Sequence, residues 1–377
     1  MTLVDHLSLH GGAERLALRI ATSLDPERFE STLCVSRWPM ANGSSPSADQ
    51  ALDELRIAGV RFLPLRRKRG IPELTPWLRL GRFLRRQRID LLHTHKFGSN
   101  AWGTMTGRIA RVPVVLAHEH TWSYAGNPLR CFLDRELVSR AADRFIAVSR
   151  EDQRRMIEIE RIDASRTLFL PIGITPTSRT LGHDVRAELG IASDAPVIGL
   201  VGNLRPQKAH HVLVRAAALL VREWPRVQIL IVGDGSERAH VEQLVRELAL
   251  EPSIRFLGYR DDVPEVLAAI DIAVCCSDFE GSPVAMLEYM EAALPVVSTA
   301  VGGVPDLIEQ GVHGLLVPPG DPNALAGALD ELLRDPQRAH AMGARGQERR
   351  RAEFDFDTMI GRLEDLYCDL LGERRAA

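Results

Sequence analysis

The stretch from Asp271 to Asp321 reads DIAVCCSDFEGSPVAMLEYMEAALPVVSTAVGGVPDLIEQGVHGLLVPPGD. Ile272 to Cys276 is a short continuous apolar run, the pattern of a strand buried on both faces of a parallel sheet. Ser277 to Gly281 is a turn. Ser282 is a good N-cap and Pro283 suits the first helical position, where a missing N–H costs nothing. A helix is therefore expected to run to about Ala293 and stop before Pro295. The amides of Val284, Ala285 and Met286 then lie free at the carboxyl end of a strand, an anion site formed by the backbone. Glu280 and Glu288, with seven residues between them, bracket that site. Glu280 is on the loop and Glu288 is inside the helix.

Glu-x7-Glu followed by Pro-Val-Val-Ser-Thr, Gly302-Gly303, a short helix and Gly-Leu-Leu-Val-Pro-Pro-Gly-Asp resembles the donor-binding half of family 4 glycosyltransferases. The plain alternative is an ordinary strand–helix–strand unit with two surface glutamates. The whole ordered run argues against that alternative more than the two acids do. The resemblance implies that Glu280 lies at the donor sugar and that Glu288 hydrogen-bonds the nucleotide ribose. Gly281, Ser282, Val284 and Ala285 would line the donor site with them.

A chain of 377 residues exceeds the size at which single cores stop growing, so two domains are expected. The composition is that of a soluble globular protein, with no apolar run long enough to span a bilayer. A formal charge of −3 argues against a nucleic-acid partner. Met1 leads almost directly into Leu3-Val4-Asp5-His6-Leu7 and Gly11-Gly12, so no signal peptide is expected. Cys34, Cys131, Cys275, Cys276 and Cys368 have no zinc spacing, and an odd count in buried-looking elements fits a reducing cytoplasm. Of 47 basic residues only Lys68, Lys96 and Lys208 are lysines, so a lysine at a functional-looking position draws notice.

In chain order, Leu3 to Leu9 reads as a first strand and His10-Gly11-Gly12 as the turn into a helix over about 13–24. Two glycines let a backbone approach a ligand closely, although the pattern is not G-x-G-x-x-G. Gly-Gly-Ala-Glu-Arg here is similar to the family's opening loop, which places Gly12 near acceptor and donor phosphates. This first strand is short for the family, which leaves room for residues upstream of Met1. Ser31–Val35 and Val60–Pro64 read as strands, with a loop over 38–48 and a helix over 51–58. The most basic stretch follows: Arg66, Arg67, Lys68 and Arg69, then a helix carrying Arg79, Arg82, Arg85, Arg86 and Arg88 interleaved with Trp77, Leu78, Leu80, Phe83 and Leu84. It reads either as a solvated helix face or as a docking surface for anionic lipid headgroups at the acceptor side.

Leu91–His95 and Val114–His120 look like buried strands, each ending in His-x-His, with both histidines of a pair on one face. No Asp, Glu or Cys ligand at a matching strand end is evident, and no metal is expected there. The resemblance aligns Glu119-His120-Thr121-Trp122 with a strand-end histidine lining the active crevice, which makes His120 the candidate over His118. Asp143 to Ser149 is a further strand, ending at a serine able to cap the next helix. Leu168 to Ile174 resembles the segment leaving the first domain, with Ile172 in place of the usual asparagine. A second alternating series starts at Val197–Val201. There Arg205 and Lys208 precede a helix from Ala209 and suit a diphosphate. Gln228–Val232 and Ile254–Gly258 are strands, and the family places nucleotide-base contacts near Gly258 to Arg260, including Tyr259. A helix is expected over 323–333. Phe356, Met359, Ile360, Leu363, Leu366, Tyr367 and Leu370 recur at helical spacing in a last helix, which in the family crosses back to the first domain.

The expected fold class is thus α/β, two Rossmann-like doubly wound parallel-sheet domains facing across a cleft, the GT-B arrangement. The expected boundaries are 1–174 with 355–377 for the acceptor-side domain, 175–192 for a linker and 193–354 for the nucleotide-sugar domain. The resemblance implies a retaining, metal-independent hexosyltransferase. It would take a UDP- or GDP-sugar as co-substrate and a glycan or lipid-linked glycan of the cell envelope as acceptor. Glu280, His120, Arg205 and Lys208 are the candidate catalytic residues. The protein would be cytoplasmic, or peripheral on the inner face of the membrane. Rival readings are a nucleotide-sugar epimerase on the same plan, a non-catalytic glycan- or nucleotide-binding relative and, more distantly, a metal hydrolase built on the His-x-His pairs.

Overall fold

The computed structural model describes residues 1–7, 12–38, 46–65, 73–120, 127–176 and 183–376. The chain divides into two units, Met1–Pro171 with Asp357–Ala377, and Ile172–Phe356. The stretch read as a linker, 175–192, falls within the second unit and includes a short helix, Val185–Glu188, capped by the Asp184 carboxylate.

The first unit is built on strands β1 (Thr2–Val4), β2 (Thr32–Val35), β3 (Arg61–Pro64), β4 (Leu91–His95), β5 (Val114–Glu119), β6 (Arg144–Ala147) and β7 (Thr167–Phe169). They form one sheet in the order β3-β2-β1-β4-β5-β6-β7, and every pairing is parallel. The central strands are buried: Leu3, Val4, Leu33 and Val114 to Ala117 have no exposed surface. Polar residues enter them only towards the carboxyl ends of β4 and β5, as His93, Thr94, His95, His118 and Glu119, and at Thr2 and Thr32. The helix Lys96–Ala110 packs through glycine. A Cβ on Gly103 would lie 2.5 Å from a Leu3 methyl, and one on Gly107 would lie 3.0 Å from methyls of Leu92 and Val115. The last helix, Phe356–Ala376, belongs to this unit from Asp357 onward and buries Met359, Ile360, Leu363, Tyr367 and Leu370.

The second unit repeats the plan with β8 (Val197–Val201), β9 (Gln228–Val232), β10 (Ile254–Gly258), β11 (Ile272–Cys275), β12 (Val296–Thr299) and β13 (Gly314–Val317). The order is β10-β9-β8-β11-β12-β13, again parallel. In each sheet the chain starts in the middle, runs outward one way, then returns and runs the other way. The reversal lies between β1 and β4 in one unit and between β8 and β11 in the other. Loops leaving the carboxyl ends of such neighbouring strands diverge and leave a crevice, where ligands of open parallel sheets bind.

Candidate active site

In the second unit the loops after β8 and β11 meet because those strands are neighbours, Ile272 pairing with Ile198. Backbone stitches them first: Asp278 N donates to Gln207 O at 2.9 Å, and the Gln207 amide donates to Phe279 O at 2.7 Å. The Glu280 carboxylate is 7% exposed. Its Oε1 accepts from Lys208 Nζ and from Ser277 Oγ, each at 2.6 Å, and Oε2 accepts from Gln207 Nε2 at 3.3 Å. Burial is the largest single influence on Lys208 and would lower its pKa. The Glu280 charge and hydrogen bond, together with Cys275 and Cys276, outweigh it and hold the ammonium above its ordinary value.

The far side of this loop rests on the two glycines of the sequence motif. Gly302 has φ +51°, and a Cβ there would lie 1.7 Å from Glu280 O. Gly303 N donates to Gly281 O at 2.7 Å, and Thr299 Oγ1 donates to Ser277 O at 2.6 Å. Glu280 is therefore held on two sides by elements far apart in sequence.

The helix after the loop runs over Val284–Glu291. Ser282 does not cap it. Pro283 occupies the N-cap position with φ −72° and ψ 114°, and no side-chain oxygen bonds the first turn. Because Pro283 itself takes the N-cap position, the helix begins one residue later than expected and the Ser282 hydroxyl lies outside its cap. The Met286 amide is also spent, donating to Pro283 O at 3.0 Å. The first-turn amides of Val284 and Ala285 remain without an intrahelical acceptor. Glu288, half-buried, sits one turn inside. Tyr289 pins the helix to the sheet, its hydroxyl accepting from Val201 N at 2.7 Å and reaching Val274 O at 3.4 Å.

Arg205 is exposed and forms no ion pair among the described residues, so of the two cations ahead of the helix only Lys208 is committed. Ala209 adopts φ +47°, a left-handed conformation unusual for a residue other than glycine. Gly258 ends β10 at φ +69°, and its carbonyl accepts from Gly233 N at 2.7 Å. Tyr259 is 56% exposed, with its hydroxyl 3.3 Å from both Asn203 Oδ1 and Asp234 O. Arg260 is clasped by Glu188 and Asp262 and serves the structure of the loop.

In the first unit Gly12 is exposed at the start of the helix Gly12–Ser23. Beside it lies a pair that the sequence reading missed. Lys96, the residue after β4, has φ +68°, and its Nζ is 2.7 Å from Glu14 Oε1. The scarcity of lysine in this chain was the available signal. Asp5, at the end of β1, accepts from Ser36 Oγ at 2.8 Å and Ser99 Oγ at 3.1 Å, and Gly98 is packed against it.

The two His-x-His pairs fall on one sheet face, as alternation requires. His93, His95 and His118 are buried, while His120 is half-buried and so the most open of the four. His95 Nδ1 lies 3.0 Å from His120 Nε2, and the His118 and His120 rings stack at 4.5 Å. Burial pushes His118 down to about 3. His93, His95 and His120 fall well below the ordinary value, first through burial and then through their histidine neighbours.

Arg66, Arg67, Lys68 and Arg69 lie outside the described residues. Trp77, grouped with them as a surface anchor, is a core residue. It is 5% exposed, packs in the cluster with Leu3, Leu80 and Leu92, and stacks on Trp102 at 5.8 Å. On the helix Leu74–Arg86 the period of 3.6 turns Trp77, Leu80 and Leu84 inward and leaves Leu74 and Leu78 exposed among the arginines.

Comparison with known proteins agrees with this geometry. Residues 183–349 match the family described as glycosyl transferases group 1, and residues 10–178 match glycosyltransferase family 4. D-inositol 3-phosphate glycosyltransferase of Kineococcus radiotolerans is 33% identical over 294 residues, covering 69% of this chain and 67% of that protein. N-acetyl-alpha-D-glucosaminyl L-malate synthase of Bacillus anthracis is 33% identical over 50% of this chain and 49% of its own length. Among solved structures, Anabaena HepE in complex with UDP-glucose superposes with a TM-score of 0.81 at 23% identity, covering 98% of this chain and 99% of that one. Sucrose-phosphate synthase from Thermosynechococcus elongatus superposes at 0.79 and 22% identity, covering 99% of each chain. Two parallel-sheet units and these likenesses give the GT-B fold, and by sequence the chain belongs to family 4 of the glycosyltransferases.

Proposed function

We propose that the protein transfers a hexose from a UDP- or GDP-sugar to a hydroxyl of a glycan or lipid-linked glycan in cell-envelope polysaccharide synthesis, with retention at the anomeric carbon. The observation that carries this reading is the Lys208–Glu280 pair at the switch point, beside exposed Arg205 and the open amides of Val284 and Ala285. Transfer needs a stabilised diphosphate leaving group and support for positive charge on the sugar. Arg205, Lys208 and the helix amides supply the first electrostatically, and Glu280 supplies the second. Lys208 has a choice of anions, and an entering diphosphate competes with Glu280 for it. The bond from C1 to the leaving phosphate oxygen breaks as the acceptor oxygen bonds C1 on the same face. The acceptor proton passes to the leaving phosphate, so no enzyme nucleophile and no metal at the diphosphate are required. Glu288 holds the ribose, and the surfaces near Gly258 and Tyr259 hold the base.

UDP is the first nucleotide to test, since Anabaena HepE was solved with UDP and with UDP-glucose. The relatives' names span inositol phosphate, malate and lipopolysaccharide core. Their acceptors therefore differ, and acceptor choice is assigned to the first unit with Gly12 and His120. The test is a thermal-shift panel of UDP-, GDP- and ADP-sugars, in which a ligand at a hundred times its Kd stabilises by about 2.7 kcal/mol. The best donor is then followed by NMR with and without acceptor glycans, in buffers with and without Mg2+. An α-linked product from an α-linked donor, formed only with acceptor and equally without Mg2+, is expected. Donor conversion without acceptor would make the protein an epimerase, and binding without turnover would make it a non-catalytic relative.

A further inference from the structure

Imidazole nitrogens without partners are concentrated in one place in the first unit. His93, His95 and His118 are 0–1% exposed, and each offers one ring nitrogen to a set lying within 4.8 Å of one another. Within the cluster His93 Nε2, His95 Nε2 and both nitrogens of His118 have no hydrogen-bond partner. Buried polar atoms are rarely left so, because each forfeits a hydrogen bond it made in water.

The other nitrogens are engaged in a telling way. His93 Nδ1 lies 2.7 Å from the Tyr367 hydroxyl, and His95 Nδ1 lies 3.0 Å from His120 Nε2. Histidines that ligate a metal characteristically use the second ring nitrogen for such a bond, which fixes the tautomer and aims the first nitrogen at the ion. Two of the three residues here have that arrangement, with both Nε2 atoms left over.

We infer that His93, His95 and His118 form a three-nitrogen site for a borderline divalent transition metal, Zn2+ or Co2+, with water completing the shell. This departs from the sequence reading, which expected no metal there because no Asp, Glu or Cys ligand is evident at a matching strand end. Parallel pairing of β4 with β5 sets His95 against His118, and the two-residue period adds His93 on the same face, so imidazoles suffice. The His93 and His118 rings lie parallel, 2° apart in plane, with centroids 5.3 Å apart. Ligation rotates them about χ2, a broad torsion, to bring three nitrogens to about 2.0 Å from one point. Hard Mg2+ takes oxygen ligands and does not suit this site, which keeps the site distinct from the donor diphosphate. The ion would tie the ends of β4 and β5 together and fix His95, and through it the His120 ring.

The test uses the full-length protein stripped with chelator and titrated with Co2+. One equivalent is expected to bind, giving the visible ligand-field absorption of a low-symmetry nitrogen site and a raised Tm. His118→Gln and His93→Gln should lose both responses, while His340→Gln, an exposed surface control, keeps them. Should the cluster variants fail to fold, X-ray absorption at the zinc edge of the Zn2+-loaded wild-type protein decides. Three imidazole nitrogens at about 2.0 Å support the site, and a hydrated ion or a sulfur shell overturns it. Absence of stoichiometric Co2+ uptake by the wild-type protein overturns it as well, as does an unchanged absorption band in a folded His118→Gln.

Discussion

The two sheets carry the same device with the charges exchanged. In the second unit the loop after the first strand, β8, supplies Lys208 and the loop after β11 supplies Glu280, paired at 2.6 Å. In the first unit the segment after β1 supplies Glu14 and the residue after β4 supplies Lys96, paired at 2.7 Å. Neighbouring strands at a topological switch bring these segments together whatever the sequence, so each position collects polar residues. The environments differ. Glu280 has three side-chain donors and its lysine is 23% exposed, whereas Lys96 is 39% exposed. The fold thus explains why a pair forms at each switch, and the surrounding bonds show that Glu280 has more side-chain partners than the pair in the first unit.

Replacing each carboxylate tests that contrast most severely. Glu280→Gln should keep the shape and most of the nucleotide affinity yet reduce turnover by about 100-fold or more, the scale of losing one preorganised electrostatic group. Glu14→Gln should leave turnover within about 10-fold, since its partner Lys96 is 39% exposed and solvent screens the pair to about 1 kcal/mol or less even though Glu14 itself is buried. Glu288→Ala should weaken binding of nucleotide and free diphosphate alike and spare turnover at saturation. Calorimetry and steady-state kinetics on the three variants read both quantities. Equal loss of turnover in Glu280→Gln and Glu14→Gln would remove the distinction between the two pairs.

The cations come next. If Lys208 and Arg205 hold the diphosphate, Lys208→Ala and Arg205→Ala should each remove a charge-assisted contact worth roughly 1.5–3 kcal/mol, or about 10–150-fold in kcat/KM. Lys208→Ala should also lower Tm, because it leaves Glu280 buried without its counter-charge, and Arg205→Ala should not. Unchanged kinetics in either variant would show that the cation is only solvated.

A third contrast concerns acid. His210, in the second unit, is 1% exposed with both ring nitrogens unpartnered, and burial pushes it down to about 4, helped by Lys208. The unfolded chain binds that proton at about 6.5 and the folded chain only near 4. Stability from this group is therefore complete above pH 6.5 and is lost as pH falls toward 4. His210→Leu should gain about 2 kcal/mol over wild type at pH 5 relative to the difference at pH 7. Chemical denaturation at both pH values measures it, and parallel pH profiles would sink the assignment.

Most of the second half was legible because its signals are local. Buried strands read as apolar runs, the Glu-x7-Glu spacing spans one loop and one helix start, and Gly302-Gly303 marks a close backbone approach. The helix Lys96–Ala110 was not legible, because Gly98, Gly103 and Gly107 read as helix breakers. Their use is to bring the helix close to the sheet, a tertiary reason invisible along the chain. The helix Pro336–Glu353 was missed for the same reason, since a Cβ on Gly343 would lie 2.0 Å from Ala293 O. Asp321 caps the helix that Pro322 opens, yet Ser282 does not cap the one after Pro283, and a cap residue followed by proline looks the same in both stretches. Trp77 shows a different limit: composition registers a tryptophan among arginines, and only helical phase says which side it faces. The histidines needed strand register to become one cluster.

The smallest effect concerns the membrane. With Trp77 in the core, any docking surface in the described part of this region is the outer row of the helix Leu74–Arg86. Leu74, Leu78, Arg82 and Arg86 follow one another every four residues along that row, all exposed, with Arg79 alongside. The second unit also has an arginine-rich helix, Pro336–Glu353, but no large apolar side chain is exposed on it. If the protein docks on an anionic leaflet near a lipid-linked acceptor, the first helix and not the second should mediate it. Each basic residue at the surface adds about 1 kcal/mol, screened by salt. A triple Arg79→Ala, Arg82→Ala, Arg86→Ala variant should therefore bind anionic liposomes about 150-fold more weakly at low salt. Exposed Arg345→Ala and Arg351→Ala should change nothing. Sedimentation with neutral and anionic vesicles decides it. Equal binding to both, binding to neither, or equal loss from the two helices would leave the first unit's basic helix an ordinary solvated face.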